Sequence, residues 1–436
     1  MEKFVIEGGF PLSGELTPSG NKNEALPVLA ACLLTDDVVT LRNMPRIRDV
    51  EVMCEVIEEI GGRARWVEQN TLEVSGAGVR TGELDPKLCQ RIRASILFAG
   101  PLLARMGRVV LPPPGGDVIG RRRLDTHFHA LEALGARVAV RDVYEISARG
   151  LVGADIFLDE ASVTATENAL MAAATAKGTT IIRNAACEPH VCALARLLNA
   201  MGARISGVGS NQLTIEGVER LGGADHEVES DYLEIGSFMG LAAITGGALK
   251  IHRVQPESLR MIRMVFERLG VYTQINQVVT ADGRPSAELI VPPHQPLAVR
   301  PDYHNHVPKV DNSIWPAFPT DLMSIAITVA TQCKGTVLFF EKMFEGRMFF
   351  VDHLQAMGAQ IILCDPHRVV VVGPQPLRGA KVQSPDVRAG MALLIAGLCA
   401  QGRTEIYNIH QIDRGYERVD QKLRALGAHI ERLPAS

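Results

Sequence analysis

The sequence predicts an α/β fold assembled from six α+β repeats of about 70 residues, gathered into two groups of three. Three observations carry that prediction. At 436 residues the chain exceeds one ordinary domain and fits two or three. A helix-ending signature, an apolar residue followed by Gly and then a small residue, recurs at glycines 61, 135, 202, 270, 358 and 427, spaced by 74, 67, 68, 88 and 69 residues. Six stretches rich in small apolar residues and nearly free of charge fall at comparable places in those repeats, and helices that apolar are buried on nearly all sides.

In chain order, residues 1–9 alternate as a strand. The apolar helices are predicted at 26–34, 96–104, 169–175, 238–245, 325–330 and 391–398. The third leads into Thr179-Thr180-Ile181-Ile182 and the sixth into Thr404-Glu405-Ile406-Tyr407, both β-rich. The other helix of each repeat, as at 188–201 and 257–269, is amphipathic and belongs against a sheet. The sheets are then expected to face outward around a bundle of apolar helices. The one long interval, between Gly270 and Gly358, holds a proline-rich stretch from Pro292 to Pro316 that reads as an irregular insertion. It ends just before Asp321, which on local grounds reads as a helix N-cap.

Composition narrows the function. Hydrophobic residues make up 47% and charged residues 22%, as in a globular protein with a large core, and a net charge of -4 offers no basic footprint for nucleic acid. The eight cysteines, at 32, 54, 89, 187, 192, 333, 364 and 399, form no Cys-x-x-Cys pair and read as reduced thiols, not a disulfide frame or a zinc site. No uncharged apolar run reaches the ~18 residues of a membrane span, and residues 1–9 lack a signal-peptide core, so a cytoplasmic protein is expected.

The charges worth following sit in loops and at helix mouths. Between Pro112 and His127, three prolines and two glycines predict an exposed loop carrying Asp117 and the run Arg121-Arg122-Arg123. Such a loop suits a lid over an anion, or simply a solvated surface. Lys22 stands before the first apolar helix, Arg93 before the second and Arg388 before the last. A buried helix has a positive N-terminus with free N–H groups, so cations recurring there point to phosphate or carboxylate binding.

Five ordered motifs tie these residues to a known family: Ser19-Gly20-Asn21-Lys22-Asn23-Glu24-Ala25-Leu26-Pro27, Arg93-Ala94-Ser95-Ile96, Pro114-Gly115-Gly116-Asp117-Val118-Ile119-Gly120, Phe318-Pro319-Thr320-Asp321 and Ile412-Asp413-Arg414-Gly415-Tyr416-Glu417-Arg418. Nearly end to end, the chain resembles the enolpyruvyl transferases, in the branch that serves peptidoglycan synthesis. The resemblance implies two domains of inside-out α/β barrel form, one over 22–229 and one formed by 1–21 plus 230–436. It implies transfer of the enolpyruvyl group of phosphoenolpyruvate to a hydroxyl of UDP-N-acetylglucosamine with loss of phosphate, without a metal or redox cofactor. By position, Lys22, Arg122 and Arg414 hold the phosphate, Arg347 and Arg388 the carboxylate, and Asp321 is the base toward the acceptor hydroxyl. Asn23 contacts the sugar, Arg93 supports the site, and Ser162, Val163 and Asp386 contact substrate.

The chain departs from the family pattern at several positions. Most members carry cysteine where this chain has Asp117, and the carboxyl group is expected to deliver the proton to the enol carbon instead. A proline position is Arg123, a lysine is Glu160, a glycine is Thr164 and an asparagine is Gly346. These substitutions leave open a different nucleotide or sugar acceptor, or a non-catalytic nucleotide-sugar-binding homologue.

Overall fold

The six apolar stretches form the central helices of the computed structural model, which describes residues 2–435 other than 117, 118, 121, 280–282 and 284. They are α1 (Lys22–Ala31), α2 (Ala99–Met106), α3 (Val163–Ala173), α4 (Tyr232–Thr245), α5 (Met323–Ala330) and α6 (Val387–Cys399). Every residue of α5 is buried, as is α6 from Val387 to Leu398. Apart from Arg388, these side chains are uncharged and mostly aliphatic, so all-round burial costs them little desolvation.

Grouped by contacts, the chain forms two compact units: Gly20–Asp117 with Arg122–Glu229, here the first unit, and Met1–Ser19, Val118–Arg121 and Ser230–Ser436, here the second. In the first unit α3 packs on both α1 and α2. In the second, α4, α5 and α6 pack on one another. Among the described residues each unit carries three sheets, one per repeat, of which five are four-stranded and one is three-stranded. Most sheets hold one parallel pair, and a parallel pair needs a crossover. The central helix supplies it between Asp155–Phe157 and Thr179–Arg183, between Lys309–Asp311 and Gly335–Phe340, and between Lys381–Gln383 and Gly402–Tyr407. In the first repeat of each unit the parallel strand comes from far away in sequence: Ala224–Glu227 lies beside Val39–Arg42, and Gly14–Leu16 beside Leu249–Ile251.

The six helix-ending glycines all adopt positive φ, from 80° at Gly270 to 107° at Gly202. That left-handed turn, open to glycine at little cost, is why the signature is legible in the sequence. The strand Glu2–Gly8 lies between Gly402–Tyr407 and His429–Pro434, antiparallel to both. The proline-rich stretch is irregular over most of its length, as expected, but its strand Lys309–Asp311 forms the edge of a sheet, with Val310 paired to Phe339. Among the described residues no cysteine is joined in a disulfide, and no helix is long and apolar enough to cross a membrane.

Candidate active site

In the second unit, α5 is preceded by the short 3₁₀ turn Thr320–Leu322, which carries Asp321. The expected N-cap is not there, because Pro319 holds the cap position and no side chain caps the turn. Asp321 instead gathers two arginines. Its Oδ1 accepts from Arg347 Nη2 at 2.9 Å and its Oδ2 from Arg388 Nε at 3.2 Å. Both guanidiniums are 5% exposed, and Arg347 Nε and Arg388 Nη1 are buried with no hydrogen-bond partner among the described residues. Buried donors left unsatisfied are costly, and a ligand that accepts from them removes the cost. Burial works against the Arg388 charge, but Tyr416, Asp321 and Asp231 outweigh it and hold this guanidinium above its ordinary range. The cap falls on Asp386, which accepts from the backbone N–H groups of Arg388 at 2.7 Å and Ala389 at 2.9 Å. Capping is a structural task, distinct from the substrate contact expected of Asp386. Arg414 is buried at the end of the turn Ile409–Arg414 and donates to Gln411 Oε1 at 2.9 Å.

In the first unit, Asn21 caps α1 by accepting from the N–H groups of Asn23 and Glu24. Lys22 is half of a largely buried ion pair, with Nζ 2.8 Å from Asp49 Oδ2. Asp49, in the first turn of the helix Arg48–Glu59, gave no sequence signal as a site residue. Asn23 is half-buried beside Lys22. Arg93 Nη2 donates to the backbone carbonyl of Arg122 at 2.8 Å. Burial and then the charge of Arg122 push the Arg93 guanidinium down to about 10. Two cations held this near each other favour an anion. The loop glycines permit the approach: Gly116 has φ 106°, and a Cβ there would meet Arg93 Cβ at 2.8 Å. A Cβ at Gly115 would lie 1.8 Å from the carbonyl oxygen of Gln90. Asp117 lies outside the described residues.

Ser162 caps α3 by accepting from Ala165 N–H at 3.4 Å, and Val163 opens the helix. Behind them runs a polar chain that sequence reasoning missed. Asn168 Oδ1 accepts from Gly100 N–H, which leaves its Nδ2 to donate to His127 Nδ1 at 3.0 Å. Burial, then the Arg93 charge, drives His127 down to about 3, so the ring is neutral with its one proton on Nε2. That proton is donated to Thr164 Oγ1, 3.0 Å away.

Apart from Asp117, three of the four remaining departures thereby acquire partners. Thr164 accepts from His127. Arg123 is exposed and paired with Asp125 and Asp159, each at 3.1 Å. Gly346 donates its N–H to Ile119 O at 3.0 Å, and a Cβ there would press within 2.9 Å of Ile119 C. Nothing in the structure explains Glu160, which is exposed.

The family model for EPSP synthase (3-phosphoshikimate 1-carboxyvinyltransferase) matches residues 6–423. The chain belongs to the EPSP synthase family of enolpyruvyl transferases. This family member is 56% identical over 432 residues, 99% of its own length and 98% of the relative's, to the UDP-N-acetylglucosamine 1-carboxyvinyltransferase of Bradyrhizobium diazoefficiens. It is 54% identical, over 99% of both chains, to the protein of that name from Treponema denticola. Among solved structures, the enolpyruvyl transferase NikO from Streptomyces tendae superposes with a TM-score of 0.85 at 22% identity, covering 100% of this chain and 99% of NikO. An EPSP synthase from Acinetobacter baumannii gives 0.76 at 18% identity, covering 100% of each chain. Both share the fold. In this enolpyruvyl transferase, then, Lys22 and Arg388 stand in the first turns of central helices, and Asp321 is the acid that Arg347 and Arg388 hold.

Proposed function

We propose that the chain transfers the enolpyruvyl group of phosphoenolpyruvate to the 3'-hydroxyl of UDP-N-acetylglucosamine, releasing phosphate, as the entry step of peptidoglycan synthesis. The observation that carries this reading is the 56% and 54% identity, over 99% of the chain, to two proteins named for that reaction. The chemistry needs a proton at C3 of the enol, attack of the hydroxyl oxygen at C2, and a cationic cradle for a phosphate and a carboxylate. The tetrahedral adduct then loses a proton from C3 and its phosphate, restoring the double bond.

In this reading Asp321 takes the hydroxyl proton. A carboxylate shared by two guanidiniums is a poor base, and a donor carboxylate that draws Arg347 and Arg388 to itself frees it. The buried unpartnered Nε of Arg347 and Nη1 of Arg388 support that exchange. Lys22, Arg122 and Arg414 hold the phosphate, and Arg93 supports Arg122 through its carbonyl. Asn23 contacts the sugar. Ser162 and Val163, at the N-terminus of α3, belong to the acceptor side, and Thr164, whose oxygen already accepts from His127, keeps its own proton to donate there. The internal partners of Arg123, Thr164 and Gly346 weaken the case for a changed acceptor. Asp117 is the general acid at C3. A cytoplasmic location belongs to the same reading and agrees with cysteines that form no disulfide among the described residues.

Phosphate release tests it. Turnover is expected with phosphoenolpyruvate plus UDP-N-acetylglucosamine and not with shikimate 3-phosphate or UMP, and silence with the first acceptor overturns the reading. Asp117→Ala should suppress turnover, while fosfomycin, which alkylates the cysteine of other family members, should leave the enzyme active.

A further inference from the structure

We infer that Glu341 is the positioning residue that sets Asp321 and Arg347 in register for the proposed reaction, through one buried carboxylate that bonds the backbone or side chain next to each. The inference rests on the functional reading of Asp321 and Arg347 above. Glu341 is the first residue beyond the strand Gly335–Phe340 and is fully buried. Its main chain is pinned on both sides by His367: Glu341 N–H donates to His367 O at 2.8 Å, and His367 Nδ1 lies 2.7 Å from Glu341 O.

The side chain then reaches two segments that share no regular secondary structure. Oε2 accepts from Thr320 Oγ1 at 2.8 Å, and Thr320 is the residue before Asp321. Oε1 accepts from the N–H groups of Met343 at 2.9 Å and Phe344 at 3.1 Å. Those two residues form the turn whose Phe344 carbonyl receives the Arg347 N–H at 3.2 Å. Oε1 also accepts from Asn312 Nδ2, and Asn312, itself fully buried, returns an acceptor to Lys342 N–H at 2.7 Å. One oxygen thus holds the segment that bears the base, and the other holds the turn that bears its guanidinium. All four donors on the carboxylate are uncharged, so geometry and not an ion pair accounts for an acid at this depth.

The claim separates position from charge. Glu341→Asp keeps the charge and shortens the reach by one methylene. Glu341→Gln keeps the length; its oxygen still accepts from the turn, and its NH2 group can donate to Thr320, whose hydroxyl rotates to accept. A misplacement of ~1 Å at a reacting centre costs on the order of 100-fold in rate, so E341D is expected to lose at least about tenfold in kcat and to raise the KM for phosphoenolpyruvate. The KM for UDP-N-acetylglucosamine should hold, and E341Q should recover most of the loss. All rates are measured on the full chain at a temperature where circular dichroism shows every variant folded, so a purely structural role would move Tm but not this kcat and KM split. Should E341D fail to fold, Thr320→Val breaks only the bond beside Asp321 and should shift kcat in the same direction. Wild-type kcat in E341D, or equal losses in E341D and E341Q, overturns the inference. A crystal structure of E341D decides independently of turnover: unchanged Asp321–Arg347 and Asp321–Arg388 contacts would overturn it, whereas a wild-type enzyme without turnover would count only against the reaction assigned above.

Discussion

The two units hold their cations in opposite ways. In the second, Arg347 and Arg388 close on one carboxylate, Asp321, so the cluster carries its own anion. In the first, Lys22 has a private acid in Asp49, while Arg93 is bonded to a carbonyl and lies in the repulsive field of Arg122. A cluster with an internal anion is stable when empty and must exchange that anion to bind another. A cluster under like-charge repulsion gains most when an external anion arrives. In the proposed reaction, chemistry belongs to the cluster with the internal anion and electrostatic reception to the other.

The largest effect is expected from Asp321→Asn, which leaves both arginines in place with a partner that cannot act as a base. Phosphate release should fall by roughly 10²- to 10⁴-fold, the span of general acid–base catalysis, and a variant that keeps a tenth of the wild-type rate would break the contrast. In the first unit the matching removal, Asp49→Ala, should appear in stability. It strips a largely buried ammonium of its carboxylate, a loss of about 3 kcal/mol read from urea unfolding, and an unmoved midpoint would show that Asp49 does not hold Lys22.

A smaller effect isolates His127. Its folded pKa, about 3, lies below the unfolded 6.5, so its contribution to stability is complete above pH 6.5 and drains away as the pH falls toward 3. The slope is about 1.4 kcal/mol per pH unit within that window, and His127→Gln should flatten the curve by that amount relative to wild type. If both curves run parallel, the ring is not excluded from protonation. Smallest is Arg123→Ala: its partners are exposed, so the unfolding midpoint should hardly move and turnover should stay intact. A large loss there would return Arg123 to the anion-receiving set.

Much of the fold was legible because its rules are local. Gly202 and Gly270 end helices by a backbone turn that glycine adopts cheaply, and Ala169 to Ala173 can be buried on every side whatever surrounds them. Of the proposed site, motifs in the sequence mark Lys22, Arg93, Asp321 and Arg388. What stayed hidden depends on partners distant in sequence. Asp321 and Asp386 both sit at helix starts, yet only the second caps, because Pro319 takes the other cap position. Asp49, His127, Asn168 and Glu341 carry no pattern of their own; each acquires its task from a group tens of residues away. Lys309–Asp311 is too short for alternation to register and becomes a strand by pairing with Leu338, Phe339 and Phe340.

The strand Glu2–Gly8 has a consequence for how the molecule is made. It leaves the ribosome roughly four hundred residues before either of its neighbours, Gly402–Tyr407 and His429–Pro434. Residues 20–229 can meanwhile close a core of their own, since domains fold as they are synthesised. For most of translation the opening segment is therefore an unsatisfied ribbon edge, exposed to pairing with other nascent chains. Glu2, Lys3 and Glu7 leave charged side chains along that edge, and charge is a means by which proteins keep waiting strands apart.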